Sequence, residues 1–231
     1  MRLDKYICKS SEYSLSQACD LIESQRVLVN GELATKASLQ VHKTNQVTLD
    51  DLVLQPRPFR YYLLNKPAGM ICSNVDENYP SVLKLLDVER VDELHIAGRL
   101  DADTTGLVLV TDDGHWSFNL TSPKNGCEKT YQVGLSRDLC KNAAKRFQEG
   151  LMLQGETKLT LPAKLVVLGP RKVELTLTEG RFHQVKRMFA AIGNRVQTLH
   201  RQQIGNLQCD VGERASRSLS SSEVRALANQ I

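Results

Sequence analysis

Residues 97–106 read Ala-Gly-Arg-Leu-Asp-Ala-Asp-Thr-Thr-Gly, and the apolar run Leu107–Val110 follows them directly. This order predicts a polar loop that enters a strand. Scaffolds often hold catalytic groups at such a position, and the loop offers Arg99, Asp101 and Asp103. Either aspartate could equally well cap a turn. The loop is therefore a candidate site whose meaning depends on the segments around it.

Two shorter segments lie on either side of this loop in the sequence. Asn65–Gly69 follows an apolar strand, and its Pro67 and Gly69 are typical of a rigid turn. Glu128–Tyr131 lies at a predicted strand start, where Tyr131 could stack on a nucleobase or serve as an ordinary sheet residue. Taken alone, each segment is better explained by local structure than by a site.

A fourth segment, Glu179–Met188, combines apolar and basic residues. Its apolar side chains recur at helical spacing and predict a buried stripe, formed by Phe182, Val185, Met188 and Phe189. The cations of the segment then project elsewhere; they are Arg181, Lys186 and Arg187. A lysine close to a buried carboxylate would keep that carboxylate ionised, and otherwise these are ordinary surface cations.

Charge is distributed unevenly along the chain. Residues 171–201 hold seven basic and two acidic side chains, whereas residues 76–113 hold ten acidic and three basic ones. A basic stretch suits a polyanionic partner, although a solvated helix explains it equally well. The acidic stretch is unusual for a nucleic-acid binder unless some of its carboxylates take part in chemistry.

Several classes of protein are disfavoured by what the sequence lacks. The six cysteines and five histidines show neither metal-ligand nor redox-pair spacing. There is no phosphate-binding loop, dinucleotide fingerprint or nucleophile elbow, so we expect no metal and no cofactor. No apolar run approaches the roughly 20 residues of a membrane span, and the first residues do not form a secretion signal. We therefore expect a cytoplasmic protein that does not associate with membranes.

The first part of the chain, residues 1–55, has the pattern of a small separate domain. Leu3 and Ile7 predict a short amphipathic helix whose other face is basic. Ser14 or Ser16 could cap a second helix, because serine oxygens readily accept hydrogen bonds from the first turn. Two short helices therefore begin the chain.

Strands and a linker follow these helices. Val27–Leu33 contains an Asn-Gly pair and predicts a hairpin with a tight type I′ turn, and residues 46–49 predict a further strand. Asp50 and Asp51, followed by the prolines of Pro56–Pro58, predict a linker because proline removes backbone donors. The domain boundary is therefore expected just before residue 59.

The second domain, residues 59–231, mixes strands and helices. The predicted strands are Arg60–Leu64, Leu107–Thr111, Lys129–Leu135, Ala163–Leu168 and Val173–Thr178. The predicted helices are Asp138–Gln148, His183–Ile192 and Ser221–Ala228. Because the strands do not alternate regularly with helices, a doubly wound parallel sheet is disfavoured and an α+β fold with a mixed sheet is expected.

In their order and spacing, four of these segments resemble the successive motifs of the bacterial ribosomal RNA pseudouridine synthases of the Rsu type. The segments are Asn65–Gly69, Gly98–Gly106, Lys129–Tyr131 and Gly180–Met188. The first 50 or so residues are similar to the small RNA-binding domain named for ribosomal protein S-four. The resemblance runs from Arg2 to about Gly205. It implies an S-four-type domain followed by a catalytic domain of the pseudouridine synthase fold, with a mixed, largely antiparallel sheet.

The subgroup is also suggested by local sequence. Residues 101–106, 112–117 and 183–186 look like the small-subunit member, and large-subunit relatives more often carry an arginine where this chain has Lys186. The resemblance implies that the substrate is one uridine of 16S ribosomal RNA, the site numbered 516 in that RNA. The partner would be ribosomal RNA itself or a small-subunit assembly intermediate, bound by a monomer that needs no cofactor.

The same resemblance implies roles for individual residues. Asp101 matches the essential carboxylate, which could attack the base, attack the ribose carbon or remove a ribose proton. Lys186 matches its basic partner, and Tyr131 matches the tyrosine that packs against the target base. Arg99 would contact a phosphate or help to extrude the nucleotide. Further RNA contacts are expected from Arg2, Lys5, Lys9, Arg26, Arg181 and Arg187.

Three alternatives remain at this point. A large-subunit synthase would share the fold and the chemistry but modify 23S ribosomal RNA. A non-catalytic ribosome-assembly protein would be expected to lose Asp101, Tyr131 or Lys186, and all three are present. A glycoside hydrolase built on Asp101 and Asp103 is disfavoured, because both carboxylates would approach from one side whereas that chemistry needs them to flank the scissile bond.

Overall fold

The chain divides at its proline-containing stretch. The computed structural model describes residues 1–229, which fall into two units, Met1–Pro58 and the chain from Phe59 onward. Each unit is built around a sheet of its own and has a separate hydrophobic core. Within residues 1–229, no helix has the length and apolar character that crossing a membrane would require.

The N-terminal unit combines two helices with a small antiparallel sheet. Its elements are α1 (Leu3–Ser10), α2 (Leu15–Glu23), β1 (Val27–Val29), β2 (Glu32–Leu33), β3 (Val47–Leu49) and β4 (Leu52–Val53). The strand order is β2-β1-β3-β4. Both helices and the sheet share one core, in which Leu3, Ile7, Ala18 and Val27 are fully buried.

Local sequence explains how these elements begin and turn. Ser14 is the N-cap of α2, and it exchanges hydrogen bonds with Gln17 in a capping box. Asn30 and Gly31 have φ angles of 54° and 83°, the positive values that a type I′ turn needs. The predicted helices and hairpin of this unit are therefore confirmed.

The interpretation of Asp50 and Asp51 as the start of a linker is wrong. Both residues have positive φ angles, 48° and 67°, and they form the turn between β3 and β4. Aspartate tolerates this left-handed conformation better than most residues because its short polar side chain can bond locally. The acidic pair therefore closes a second hairpin.

The second unit is an α+β domain. Its strands are β5 (Tyr61–Lys66), β6 (His95–Ala97), β7 (Thr105–Thr111), β8 (Lys129–Leu135), β9 (Lys164–Gly169), β10 (Lys172–Leu177), β11 (Val196–Ile204), β12 (Leu207–Gln208) and β13 (Ser216–Ser218). Its α-helices are α3 (Gly114–Thr121), α4 (Ala143–Glu149), α5 (Gln184–Ala191) and α6 (Ser221–Ala228). Short 3-10 helices occur at Val82–Leu85, Val91–Glu93 and Pro123–Asn125.

The strands form a mixed sheet in the order β13-β5-β7-β11-β8-β10-β9, with β12 paired to β11 and β6 paired to β7. Among the strands of the described residues, only β7 and β11 pair in parallel. The predicted mixed, largely antiparallel sheet is therefore confirmed.

Strand β7 is apolar on both faces because both faces are covered. Val108 and Val110 join a core that includes side chains of α4 and α5. Leu107 and Leu109 join a separate core with side chains of α3 and α6. Side chains alternate between the two faces of a strand, so the continuous apolar run predicts burial on both sides.

Most predicted elements of this unit are confirmed, with instructive exceptions. The five predicted strands are β5, β7, β8, β9 and β10, with ends displaced by at most two residues. The helix expected to begin at Asp138 begins at Ala143, and Asp138 lies ahead of it, where its carboxylate accepts from Arg171. Helix α3, which was not predicted, begins after Asp113, whose carboxylate accepts from His115 N and Trp116 N.

Candidate active site

A cavity of about 810 Å³ opens in the second unit, a size typical of ligand sites. Its walls come from the loop before β7, from strands β8 and β11, and from the segment that leads into α5. Several residues that the sequence predicted for the site line this cavity, namely Arg99, Asp101, Tyr131, Arg181 and Lys186. The fold thus brings together residues that lie up to 87 positions apart in the sequence.

The loop before β7 is held by a buried cation that binds its main chain. Lys66, at the end of β5, is fully buried, and its Nζ donates to Ala102 O at 3.1 Å and Thr104 O at 2.7 Å. Gly69 N also donates to Ala102 O, at 2.9 Å. Burial lowers the pKa of Lys66 because the charged form loses hydration. The segment Asn65–Gly69 therefore supports the loop.

Arg201 on β11 holds the ends of the same loop. It is 2% exposed, and its guanidinium donates to Gly98 O at 2.8 Å and to Leu107 O at 2.7 Å. Its approach to β7 depends on Gly106, where an added Cβ would lie 2.3 Å from Arg201 O and where φ is +106°. Only glycine fits such a contact and such a backbone.

Asp101 lines the cavity beside two side chains of the α5 segment. Lys186 Nζ donates to Asp101 Oδ2 at 2.8 Å. On the other side of the carboxylate, His183 Nε2 lies 3.5 Å from Asp101 Oδ1. Asp101 is 29% exposed, so its carboxylate is partly desolvated but remains open to the cavity.

Lys186 contacts both carboxylates of the loop. Its Nζ also donates to Asp103 Oδ1 at 2.6 Å. Burial would lower the pKa of Lys186, but the hydrogen bonds to Asp101 and Asp103 outweigh that effect and raise it. Burial opposes ionisation of Asp103 as well, yet its pKa is lowered by Lys186. One ammonium therefore holds both carboxylates of the loop.

The floor of the cavity is formed by the sheet. Tyr131 on β8 is 8% exposed and lies between Leu175 of β10 and Arg201 of β11 in the strand register. Lys129, two residues earlier, is 7% exposed, and its Nζ donates to Cys127 O at 2.8 Å. Burial lowers the pKa of Lys129. An aromatic ring and a buried cation therefore line the inner end of the cavity.

The arginines of the α5 segment bind the protein itself. Arg181 donates to Lys158 O and Leu159 O at 3.0 and 2.6 Å. Arg187 donates to Gln154 O at 2.7 Å and forms an ion pair with Glu156 at 3.0 Å. These contacts fix the irregular segment before β9. Both guanidiniums were expected to contact RNA, and their engagement with main-chain carbonyls leaves them less free to do so.

The comparisons with known proteins agree with this geometry. Residues 60–191 match the family described as RNA pseudouridylate synthase, and residues 1–47 match the S4 domain. The chain belongs to the RNA pseudouridylate synthase family. The α+β architecture, the small N-terminal domain and the enzyme class expected of this synthase are thereby confirmed.

Relatives of this synthase cover nearly its whole length. A Haemophilus influenzae protein named ribosomal small subunit pseudouridine synthase A is 45% identical over 230 residues, which are 98% of this chain and 99% of that protein. The protein of the same name from Escherichia coli strain K12 is 48% identical over 212 residues, 91% of each chain. A crystal structure described as a pseudouridylate synthase has 44% identity and a TM-score of 0.73, and the match covers 98% of this chain and 99% of that one.

The cations expected to bind RNA in the S4 domain of this synthase differ in exposure. Lys5 is exposed, and Arg2 is 54% exposed while it pairs with Asp4 at 2.5 Å. Arg26 is 46% exposed and pairs with Asp50. Lys9 is only 8% exposed, so its ammonium offers little surface to a phosphate.

Sequence reasoning missed four residues of the cavity in this synthase. Arg201 was not singled out because its strand was not predicted, and Lys129 was noted only as the start of a strand. The burial of both cations appears only in the structure. His183 was assigned no role, although it precedes α5 by one residue and its Nε2 lies 3.5 Å from Asp101 Oδ1. Phe182 was assigned to the apolar stripe of α5, and this is wrong, because it is 76% exposed. The position of Phe182, ahead of the first helical residue, was the signal that could have shown its exposure.

Proposed function

We propose that this synthase converts one uridine of 16S ribosomal RNA, the site numbered 516, to pseudouridine, with Asp101 as the essential carboxylate. The observation that carries the proposal is the Asp101 carboxylate, which is held by Lys186 at 2.8 Å and faces a cavity floored by Tyr131. Pseudouridine formation needs one carboxylate at the junction of ribose and base, and Asp101 occupies the open wall of the cavity.

The reaction breaks the bond between uracil N1 and ribose C1′, turns the base, and joins C5 to C1′. The proton on C5 leaves and N1 gains one, so atoms balance without a redox step or an added group. Asp101 has three routes open to it: addition to the base, attack on C1′, or removal of a ribose proton. Each route needs an ionised carboxylate, which is what the ion pair with Lys186 favours.

The target uridine must leave its helix before it can react. A carboxylate cannot reach a glycosidic bond inside stacked RNA, so the enzyme must flip the nucleotide into the cavity. There the uracil packs on Tyr131, a contact worth roughly 1–3 kcal/mol for base and aromatic ring. Arg99, which is exposed on the cavity rim, contacts a phosphate or helps to extrude the nucleotide.

The choice of 16S RNA rests on the relatives. Proteins 45% and 48% identical to this chain are named for the ribosomal small subunit, and they match over 98% and 91% of its length. Lys186 at the end of the His-Gln-Val-Lys segment fits the small-subunit subgroup. The S4 domain supplies further affinity through phosphate contacts of Arg2, Lys5 and Arg26, with the synthase acting as a monomer.

The test is a map of pseudouridines in 16S and 23S ribosomal RNA from cells with and without the gene. Cells that lack it are complemented with the wild-type gene or with Asp101→Asn. We expect one pseudouridine, at 516 of 16S RNA, to vanish on deletion and to return only with the wild-type gene.

Other maps would contradict parts of this proposal. A loss confined to 23S RNA would keep the chemistry and overturn the substrate. Full restoration by Asp101→Asn would overturn the role of the carboxylate. No change in either RNA would overturn both and favour a non-catalytic role in ribosome assembly.

A further inference from the structure

Phe182 is an exposed aromatic residue at the mouth of the cavity. It is 76% exposed and lines the cavity together with Asp101 and Lys186. The apolar residues of the neighbouring helix behave differently, since Val185, Met188 and Phe189 are at most 5% exposed. The ring is therefore outside the core of α5, although a phenylalanine gains most free energy when it is buried.

The ring of Phe182 is held in a defined orientation. It stacks on the ring of His183, with centroids 3.8 Å apart and planes 21° apart. Arg187 Nη1 donates to Phe182 O at 3.1 Å, which fixes the backbone at this point. His183 has φ 48° and ψ 34°, a left-handed conformation that is costly for a residue other than glycine. The chain thus adopts strained backbone where the two rings are stacked.

The stack leads directly to the carboxylate. His183 Nε2 lies 3.5 Å from Asp101 Oδ1, so the order from solvent inward is Phe182, His183 and Asp101. The outer face of the Phe182 ring is free of the stack, and the cavity that Phe182 lines is also lined by the cations Arg99 and Lys186. A flat aromatic face beside cations suits a nucleobase whose backbone carries phosphates.

We propose that Phe182 is a stacking platform for a nucleobase next to the flipped uridine. This inference rests on the proposed function, because flipping removes one stacking partner from each neighbouring base. Phe182 replaces one of those partners from the rim of the cavity, and His183 supports it from behind. The pair therefore stabilises the opened RNA while the uridine lies against Asp101.

The experiment compares Phe182→Ala, Phe182→Leu and Phe182→Trp in the full chain. The probe is a 16S RNA fragment containing the target uridine, with 2-aminopurine placed at either flanking position. Affinity, fluorescence quenching and single-turnover pseudouridine formation are measured on the same samples. The matched control is Phe118→Ala, because Phe118 is 68% exposed in the same unit and is not among the residues lining the cavity.

Phe182→Ala is expected to raise the dissociation constant by about 5- to 150-fold, the range for loss of one base–aromatic stack, and to abolish the quenching at one flanking position. Phe182→Trp should bind like the wild type, since a larger flat ring replaces the first. Phe182→Leu should weaken binding nearly as much as alanine, because it keeps apolar area but not the flat face. Phe118→Ala should change neither the dissociation constant nor the fluorescence quenching.

The outcomes separate this inference from the proposed function. Unchanged affinity and quenching in Phe182→Ala, with pseudouridine still formed by the wild type, would overturn the stacking role alone. A wild-type chain that binds and quenches the probe but forms no pseudouridine would overturn the proposed function, and loss of quenching in Phe182→Ala would still support the stack. If Phe182→Trp weakened RNA binding as much as Phe182→Ala, that result would also contradict the stacking role of Phe182.

Discussion

Two clusters in the second unit have the same arrangement of charges, in which one cation lies between two carboxylates. Lys186 lies between Asp101 and Asp103, and Arg217 lies between Asp210 and Glu223. Their exposure is almost the same, at 27% for Lys186 and 28% for Arg217, and 29% for Asp101 and 27% for Glu223. Burial therefore does not distinguish the Asp101 cluster from the Arg217 cluster, which lines a smaller cavity of about 440 Å³.

The difference lies in how the carboxylate oxygens are used. Both oxygens of Glu223 accept from Arg217, at 2.7 and 3.0 Å. One of them also accepts from Ser220 N at 2.7 Å, because Ser220 and Glu223 form the capping box at the start of α6. Only one oxygen of Asp101 accepts a hydrogen bond from Lys186, and the other oxygen lies 3.5 Å from His183 Nε2. A guanidinium fork and a helix cap occupy Glu223 fully, whereas a single ammonium leaves Asp101 with accepting capacity that faces a cavity.

The sharpest way to separate the clusters is to remove one carboxylate charge from each. Asp101→Asn should lower single-turnover pseudouridine formation by roughly 10²–10⁴-fold or more, because the amide is isosteric but cannot act as a nucleophile or base. RNA affinity and the folded state should be nearly unchanged. Glu223→Gln is the matched control and should keep full turnover. Comparable turnover in the two variants would contradict the assignment of Asp101.

The cations provide the second contrast. Lys186→Met should slow turnover by about 10- to 100-fold, because Asp101 then loses a charge-assisted hydrogen bond worth roughly 1.5–3 kcal/mol. The raised pKa of Lys186 keeps it charged at neutral pH, so the wild-type pair persists across the working range. Arg217→Met should leave turnover unchanged. Equal turnover in Lys186→Met and the wild type would show that the pair does not control the carboxylate.

Arg201 extends the comparison to a cation that binds carbonyls. Arg201→Met should destabilise the protein by roughly 1–3 kcal/mol, because Gly98 O and Leu107 O lose buried donors. Since the Asp101 loop then loosens, turnover should fall several-fold more than RNA affinity. Urea unfolding and single-turnover kinetics check this, with the exposed Arg195→Met as control. Equal effects of the two variants would rule out a positioning role for Arg201.

The smallest expected effect concerns acid stability. Arg217 and the capping box lower the pKa of Glu223 from 4.5 to about 2. A folded-state pKa below the unfolded value contributes stability that is complete above pH 4.5 and disappears as the pH falls toward 2. Glu223→Gln should therefore flatten that part of the stability curve relative to the wild type, as thermal unfolding at several pH values would show. Parallel curves would contradict the linkage.

How far sequence could lead differs between these regions. The Gly-Arg-Leu-Asp loop, the α5 segment and helix α6 are each contiguous in sequence, so local patterns predict them. Strand β11 was missed because it is polar along its length, and its burial comes from pairing with β7 and β8. Arg201 could not be placed without that pairing. For the same reason, Arg181 and Arg187 were interpreted as free surface cations. Their contacts with residues 154–159 join parts of the chain that are distant in sequence.

The way that Lys66 and Arg201 hold the Asp101 loop has an evolutionary consequence. Both cations bind main-chain carbonyls of the loop and its ends, and every amino acid supplies such a carbonyl. Substitutions at positions such as Ala102 therefore leave the anchoring atoms in place. In a saturation library, we expect these positions to tolerate many residues. Almost no substitution should be tolerated at Lys66, Gly106 and Arg201, although these residues take no direct part in the reaction.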